Sequence, residues 1–480
     1  MKVGIVAEGS YPYISGGVSS WIHMLIQSMP KNTFEIIAIS DQPRTSADYK
    51  YSLPSNVSGV TDICLTDQFQ KMNGKASLST DEKNKLQDWM SLKSFDASAL
   101  EVIGNDEKIG TPFMFFNSPI FWSFVENEYE VEKQSSSFLD YFSMWKSMFT
   151  PVFSLLQRNY PDVDVIHAVS TGYAGIVASY LNKSRQIPFI LTEHGMYARE
   201  REEEILQSHW VPEEFKERWI SFFYHMSAQA YKQADDVITL FNRNSRLQEW
   251  VGAPSDKLKV IPNGVSYQKL AALPRNNTDE TLKIGAIVRV VPIKDIKTMI
   301  QAASYLKKEQ IPFQLFIMGP MDEDKIYAKE CRQLIHSLGL EEEVFMVGKV
   351  NIMDYLETMD VCVLSSISEG QPLAVLEGMA AAIPWVVTDV GSCAELIKGT
   401  AEDTYGDAGF VVPPVHTEPL GERLKWFYYY PEEGRIMGEN GQQRVKAYYQ
   451  METMIDYYYG LYRERGEQSG RYRFSFTGVI

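Results

Sequence analysis

A chain of 480 residues with 45% hydrophobic and 22% charged residues has a globular composition and exceeds one ordinary core, so two or three domains are expected. Its formal net charge of −16 argues against nonspecific nucleic-acid binding, which needs lysine and arginine to neutralise phosphates. No apolar run approaches the roughly 18 residues of a membrane span. The opening run 1–7 is stopped by Glu8 with no small-residue cleavage site behind it, so no secretory leader is expected. Cys64, Cys331, Cys362 and Cys393 have neither metal nor redox spacing and read as buried free thiols in a reducing, cytoplasmic compartment. Without a leader, the N-x-S/T triplets at Asn56, Asn182 and Asn276 are chance matches.

In chain order, a first strand at 3–7 runs into the loop EGSYPYISGGVSS, and a helix follows with Val18, Ile22, Leu25 and Met29 on one face. Gly16 and Gly17 let a backbone approach a ligand closely and lie before a helix N-terminus that attracts anions. The pair is not a G-x-G-x-x-G fingerprint, and an ordinary turn fits it as well. A second strand is expected at 34–40. Residues 45–145 then break the rhythm, with few strand-like runs and many aromatics, among them Phe115, Phe121, Tyr141 and Trp145. This stretch is too apolar for disorder and reads as a partly helical insertion packed on the first domain.

Strands follow at 164–169 and 189–194, the latter ending in His194. The charged run 199–204 has the pattern of a solvated helix face. Two further strands are expected at 237–241 and 258–262. The seam lies at Pro262-Asn263-Gly264 and the polar stretch 273–280, a turn and linker. The second half repeats the alternation, with strands at 282–289, 313–319, 344–348, 361–366, 385–389 and 409–412. Near-continuous apolar runs such as QLFIMG and VCVLSS suit strands buried on both faces. Two such sets imply an α/β fold of two doubly wound domains, split as 1–270 and 271–456, with ligands beyond the carboxyl ends of the strands.

Three groups of residues fall at those ends. Arg289 closes the first strand of the second half, and Lys294 lies five residues on. Two cations there suit a diphosphate, although spacing alone fits a solvated pair equally. The segment SSISEGQPLAVLEGMA takes a strand through a Ser/Gly loop to Pro372, expected as the first helical residue. The N–H groups of Leu373 and Ala374 would then form an anion site. Glu369 precedes that helix and Glu377 lies inside it, so the two carboxylates could grip different parts of one elongated ligand. His194 ends its strand at the same kind of address. His23, His167 and His416 have no distinguishing setting, and the acidic 321–324 connection reads as a solvated loop rather than a metal site.

Taken together, the Gly16-Gly17 loop, Pro262-Asn263-Gly264, Arg289 with Lys294, and Glu369 seven residues before Glu377 resemble retaining glycosyltransferases of GT-B family four over essentially the whole chain. EGSYPYISGGVSSW, TEHGMYARERE and the insertion are similar to the branch of that family acting in Pel exopolysaccharide synthesis. The resemblance implies a GT-B fold with two Rossmann-like domains facing each other across a cleft, and a C-terminal helix at about 457–480 returning to the first. It implies that Arg289 and Lys294 hold the donor diphosphate, Glu377 the ribose hydroxyls, and Glu369 the transferred sugar, with Gly370, Gln371, Pro372 and Leu373 completing the donor loop. His194, Gly16 and Gly17 would complete the sugar and acceptor side. Gln371 departs from the aromatic or small residue common there.

A UDP-sugar donor, UDP-glucose first, a glycan acceptor, no metal or other cofactor, and a membrane-associated polysaccharide synthase complex as partner are implied in the same way. Retention is open between front-face attack and double displacement. Nucleotide-sugar epimerases and phosphorylases share the architecture, and a noncatalytic nucleotide-sugar-binding assembly subunit is the reading from outside enzymology. The full set of Arg289, Lys294, Glu369 and Glu377 weighs against the last.

Overall fold

The computed structural model describes residues 1–66, 77–132, 136–274 and 280–470. The chain forms two compact units: the first takes 1–239, 244–260 and the chain from 457 onward, the second 240–243 and 261–456. Segment 261–270, expected with the first domain, therefore belongs to the second. Linker residues 275–279, with Asn276, lie outside the described residues.

The first unit is built on seven strands: β1 (Lys2–Glu8), β2 (Thr33–Ser40), β3 (Val57–Cys64), β4 (Val165–Ala168), β5 (Phe189–Glu193), β6 (Asp236–Thr239) and β7 (Leu258–Val260). They lie in the order β3-β2-β1-β4-β5-β6-β7, every pair parallel. The interior of β1 and all of β4 and β5 are buried, as a parallel sheet covered on both faces requires. Strand β3 is a strand within 45–145 that the sequence reading, which found few strand-like runs there, did not place. Its sequence VSGVTDIC mixes polar and small residues because it is an edge strand, half-exposed along most of its length.

The helical insertion proper begins at Thr80–Met90 and ends with Phe138–Leu156. Its aromatics pack inward: Phe115, Phe121, Tyr141 and Trp145 are fully buried and join the same core as the sheet. Phe115 stacks on Phe153 with centroids 4.8 Å apart. Such rings carry large apolar area into the core, which explains the composition that set this segment apart.

The helix Met451–Gln468 starts in the second unit and belongs to the first from Tyr457. There Arg465 clasps Asp236 at 2.6 and 2.8 Å, and Tyr458 meets Thr192 at 3.1 Å. Buried His167 meets Tyr462 Oη at 2.6 Å and Thr192 at 2.8 Å. Burial pushes this imidazole down to about 3, so it stays neutral and serves as a structural tie.

The second unit repeats the plan with β8 (Leu282–Ile287), β9 (Phe313–Met318), β10 (Val344–Gly348), β11 (Val361–Leu364), β12 (Trp385–Thr388) and β13 (Gly409–Val412). Their order is β10-β9-β8-β11-β12-β13, again all parallel. Both sheets thus have the doubly wound arrangement whose strand order reverses beside the first strand, between β1 and β4 and between β8 and β11. All four cysteines are buried free thiols.

Fully buried Arg444 anchors the second unit, pairing with Asp403 and donating to the carbonyls of Leu396, Ile397 and Gly406 at 2.6–2.9 Å. Removing one partner of a buried pair leaves an uncompensated charge. We expect Asp403→Ala to destabilise the second unit by about 3–5 kcal/mol, measured by chemical denaturation of the full chain; a loss below about 1 kcal/mol would show that the three carbonyls, not Asp403, compensate Arg444.

Candidate functional site

At the switch point of the second sheet the chain leaves β8 and β11 side by side. After β8 come Val288 and Arg289, then a 3₁₀ turn Pro292–Lys294. Asp295, in the left-handed region at φ 47°, caps the helix Ile296–Lys308 through Thr298 N–H at 3.3 Å. After β11, Ser365 Oγ donates to the carbonyls of Lys294 (3.0 Å) and Asp295 (2.9 Å), and Ile367 N–H donates to Ile293 O at 2.9 Å. These bonds lock the two loops together.

The lock brings Lys294 and Glu369 into an ion pair whose side chains are only 16% and 9% exposed. Ser366 Oγ donates to the same Glu369 oxygen at 2.6 Å. Residues expected to hold different parts of a ligand therefore hold each other. Gly391 closes the loop from behind. It lies at φ 53°, and a Cβ there would sit 2.2–2.3 Å from the Glu369 and Gly370 carbonyl oxygens, so only glycine fits. Ser392 N–H then donates to Gly370 O at 2.9 Å.

Arg289 is 47% exposed and gives one guanidinium nitrogen to both Glu323 oxygens at 2.6 and 2.8 Å. The acidic 321–324 connection, expected to be merely solvated, thus supplies this arginine's counter-ion. Pro372 is the N-cap of the helix Leu373–Ala380 rather than its first residue, and no side chain caps that first turn. Leu373 and Ala374 accordingly open the helix with N–H groups that no i−4 carbonyl can serve. Gln371 is buried and its amide is spent on backbone: Oε1 accepts from Asn263 N–H at 2.6 Å, and Nε2 donates to Leu240 O at 3.3 Å. Its departure from the family pattern ties Pro262-Asn263-Gly264 to the loop rather than reshaping a ligand surface. Glu377, partly buried one turn into the helix, has its carboxyl pushed up to about 7 by desolvation.

In the first unit the matching sheet edge surrounds a cavity of about 950 Å³. Glu8, the last residue of β1, accepts from Tyr173 N–H (2.8 Å), Ala174 N–H (3.3 Å) and Tyr197 O–H (2.8 Å). The two amides open the helix Gly172–Arg185 that follows β4, so Glu8 spans the switch point. Burial raises its pKa against the lowering pull of Arg201 and these bonds. His194 lines the cavity, rests on the Trp21 ring at 4.7 Å, and is held down to about 4 by burial. Gly16 and Gly17 are not part of that wall; both are exposed, and a Cβ at either would meet no protein atom within 4 Å. His194, Gly16 and Gly17 lie in the first unit, and the remaining candidates in the second.

Sequence reasoning passed over Glu193 and the 199–204 run. Glu193 is fully buried and holds Tyr231 O–H, Gln248 (3.0 Å) and Tyr197 N–H (3.0 Å). Arg201 lies over the Tyr197 ring and, with Glu200, lines the cavity; Arg199, Glu203 and Glu204 are exposed, so the run is a solvated face that lends two residues to the cavity wall. The signal available was position, since Glu8 and Glu193 are charges at the carboxyl ends of apolar strands.

Two doubly wound Rossmann-like units with polar sites at their switch points are the GT-B fold. Solved structures agree on the fold: Anabaena HepE in complex with UDP has a TM-score of 0.59 at 14% identity, covering 97% of this chain and 100% of that one. Sucrose-phosphate synthase from Thermosynechococcus elongatus has 0.59 at 18% identity, covering 97% and 98%. The chain belongs to the family described as Domain of unknown function (DUF3492), matched over residues 1–256, and its residues 272–444 match the domain Glycosyl transferases group 1. Among curated relatives, an MMP alpha-(1->4)-mannosyltransferase of Mycolicibacterium hassiacum is 25% identical over 59% of this chain and 66% of its own length. A UDP-Gal:alpha-D-GlcNAc-diphosphoundecaprenol alpha-1,3-galactosyltransferase of Escherichia coli is 26% identical over 52% and 62%. The matches to the first three curated relatives span 42–66% of those proteins. No described helix is long and apolar enough to cross a membrane.

The Glu377 carboxyl has a measurable signature. A carboxyl raised from 4.5 to about 7 favours the folded state while protonated, so its contribution is complete below about pH 4.5 and lost as pH rises through about 7. We expect Glu377→Gln to be more stable than the parent by about 1–3 kcal/mol at pH 8, partial exposure screening the rest, and equal to it at pH 4.5. Denaturation at both pH values checks this; equal stabilities at pH 8 would mean the carboxyl titrates normally.

Proposed function

We propose that this chain is a metal-independent retaining glycosyltransferase that moves a sugar, glucose first, from a UDP-sugar to a growing glycan in Pel-type exopolysaccharide synthesis. The observation that carries the reading is the convergence of Arg289, Lys294, Glu369 and the uncapped helix start at Leu373 on one switch point, within the matched Glycosyl transferases group 1 domain. UDP and UDP-glucose in complexes of HepE and the UDP-Gal donor of the E. coli relative support the nucleotide. The Pel assignment rests on EGSYPYISGGVSSW and TEHGMYARERE, similar to the Pel glycosyltransferase PelF, and with it come the cytoplasmic location and the membrane-associated synthase partner.

As the glycosidic bond to the donor breaks, negative charge develops on the departing diphosphate. Arg289, Lys294 and the N–H groups of Leu373 and Ala374 are fixed donors that stabilise it, without the reorganisation water would need. Glu377, inside the helix, takes the ribose hydroxyls. Glu369 orients Lys294 through their ion pair and faces the transferred sugar, and His194, held neutral, hydrogen-bonds that sugar without adding charge. Gly16 and Gly17, which no protein contact requires, leave room for the ligand beside the helix start.

The experiment is calorimetry and UDP-release kinetics. UDP should bind nearly as well as UDP-glucose and do so in chelator; complete loss of binding in chelator would refute metal independence. Arg289→Ala should weaken UDP about 10- to 100-fold, as loss of a charge-assisted bond implies. Glu369→Ala should lower turnover more than donor affinity, whereas Glu377→Ala should chiefly raise the Michaelis constant.

The resting ion pairs add a less obvious expectation. Glu323 competes with diphosphate for Arg289, and an exposed pair is worth about 0.2–1 kcal/mol. Glu323→Ala should therefore tighten UDP binding by about 1.4- to 5-fold, and weakened binding in that variant would show that Glu323 positions Arg289 rather than competing for it.

A further inference from the structure

The chain passes between its two units at 239–244, at 260–261 and at 456–457. Pro262-Asn263-Gly264 stands just past the second crossing. Val265, next in the chain, donates its N–H to Tyr449 O at 2.9 Å and accepts from Met451 N–H at 3.1 Å. Met451 opens the helix that carries the third crossing. A Cβ on Gly264 would sit 2.4 Å from Met451 Cα and 2.5 Å from Gln450 O, so the close approach of these two segments needs glycine. The first crossing is joined to the second by one side chain: the Gln371 amide accepts from Asn263 N–H at 2.6 Å and donates to Leu240 O at 3.3 Å. A second tie runs beside it. Glu395 accepts from Asn242 N–H and Asn242 Nδ2, both at 3.1 Å, and from Arg243 N–H at 2.9 Å. Its helix, Cys393–Lys398, follows Ser392, whose N–H holds Gly370 O. All of these bonds lie within the second unit, and they fasten loop 369–371 to the segments that carry the chain from one unit to the other.

Burying the Gln371 amide costs desolvation that its hydrogen bonds offset. An apolar side chain of equal length would fill the same space without that cost. What the amide adds is direction, because it fixes the backbone at 240, 263 and 371 relative to one another. Two residues before it lies Glu369, paired with Lys294, and two residues after it the uncapped helix start at Leu373. We propose that Gln371 is a positioning residue for sugar transfer. It touches no donor atom; it sets Glu369 and the helix start against the crossing segments, so that donor binding at the loop alters the backbone at 240–243 and 261–265. The inference rests on the donor-site reading and goes beyond it by giving a role to the residue that departs from the family pattern.

The test compares the full chain with Gln371→Met, of similar length but without either bond, and with Gln371→Glu, which keeps an acceptor for Asn263 N–H. Calorimetry reads UDP affinity, UDP release from UDP-glucose reads turnover, and hydrogen exchange with and without UDP reads the crossing segments. In Gln371→Met, turnover should fall about ten- to hundredfold, the cost of misplacing reacting groups by about 1 Å, while UDP affinity changes less than about threefold. Gln371→Glu should lie between that variant and the parent. UDP should slow exchange at 240–243 and 261–265 in the parent, and this response should vanish in Gln371→Met although UDP still binds. Equal losses of affinity and turnover would assign Gln371 to the fold of the loop alone, and unchanged turnover would make it a filler of space. Either result overturns the proposal, as does an exchange response that survives the change to methionine. If circular dichroism shows Gln371→Met unfolded, the same comparisons on Gln371→Glu decide. A parent that binds no UDP would sink the donor reading and this proposal with it; a parent that binds UDP and turns over UDP-glucose leaves the variants to judge Gln371 alone.

Discussion

Every strand of both sheets runs parallel to its neighbours, so each sheet has a single edge at which the chain leaves its strands. Crossover helices must cover both faces, which makes strand interiors apolar and drives polar residues to the strand ends. Where the order reverses, between β1 and β4 and between β8 and β11, the exit loops diverge and leave a crevice. Glu8 and Ala168 flank one such point; Arg289 and Ser365 flank the other. The chemistry of this chain is gathered by sheet topology before any side chain chooses a partner.

What distinguishes the two edges is charge. At the second sheet, Arg289 and Lys294 sit beside an uncapped helix start, a setting that favours a diphosphate. Both cations are occupied by carboxylates, Glu323 at an exposed pair and Glu369 at a shielded one. The difference in exposure sets their exchange: water screens the first pair and makes it easy to trade, whereas Ser366 and the locked loops keep the second assembled. At the first sheet, carboxylates outnumber the single Arg201, and burial keeps His194 neutral. One fold repeated twice thus presents two edges with different sets of ionisable groups.

The insertion shows a different economy. Its aromatics are core, continuous with the sheet's own apolar residues, and its edge strand β3 lengthens the sheet by one. Leu65 and Thr66, just past β3, and Ser147 and Pro151 of the helix Phe138–Leu156 reach the cavity wall. The insertion therefore supports the site chiefly by packing and shapes one side of it.

Much of this was legible in sequence, because the governing physics is local. Apolar runs of strand length between amphipathic stretches fixed the two α/β sets, and charges at the ends of those runs marked Arg289, Glu369 and His194. β3 escaped notice because an edge strand need not be apolar, and the reach of Glu200 and Arg201 from the otherwise exposed 199–204 face to the cavity has no mark in a charged pattern. Gln371 could be placed in the loop but not turned inward, since its partners at Leu240 and Asn263 lie 131 and 108 residues away. The pairing of Lys294 with Glu369 and of Arg289 with Glu323, and the gathering of Glu8, Glu193, His194 and Arg201 on one cavity wall, were decided by tertiary structure alone. Each depends on which loops the strand order sets side by side, and hydrogen bonds across such distances leave no period in the sequence.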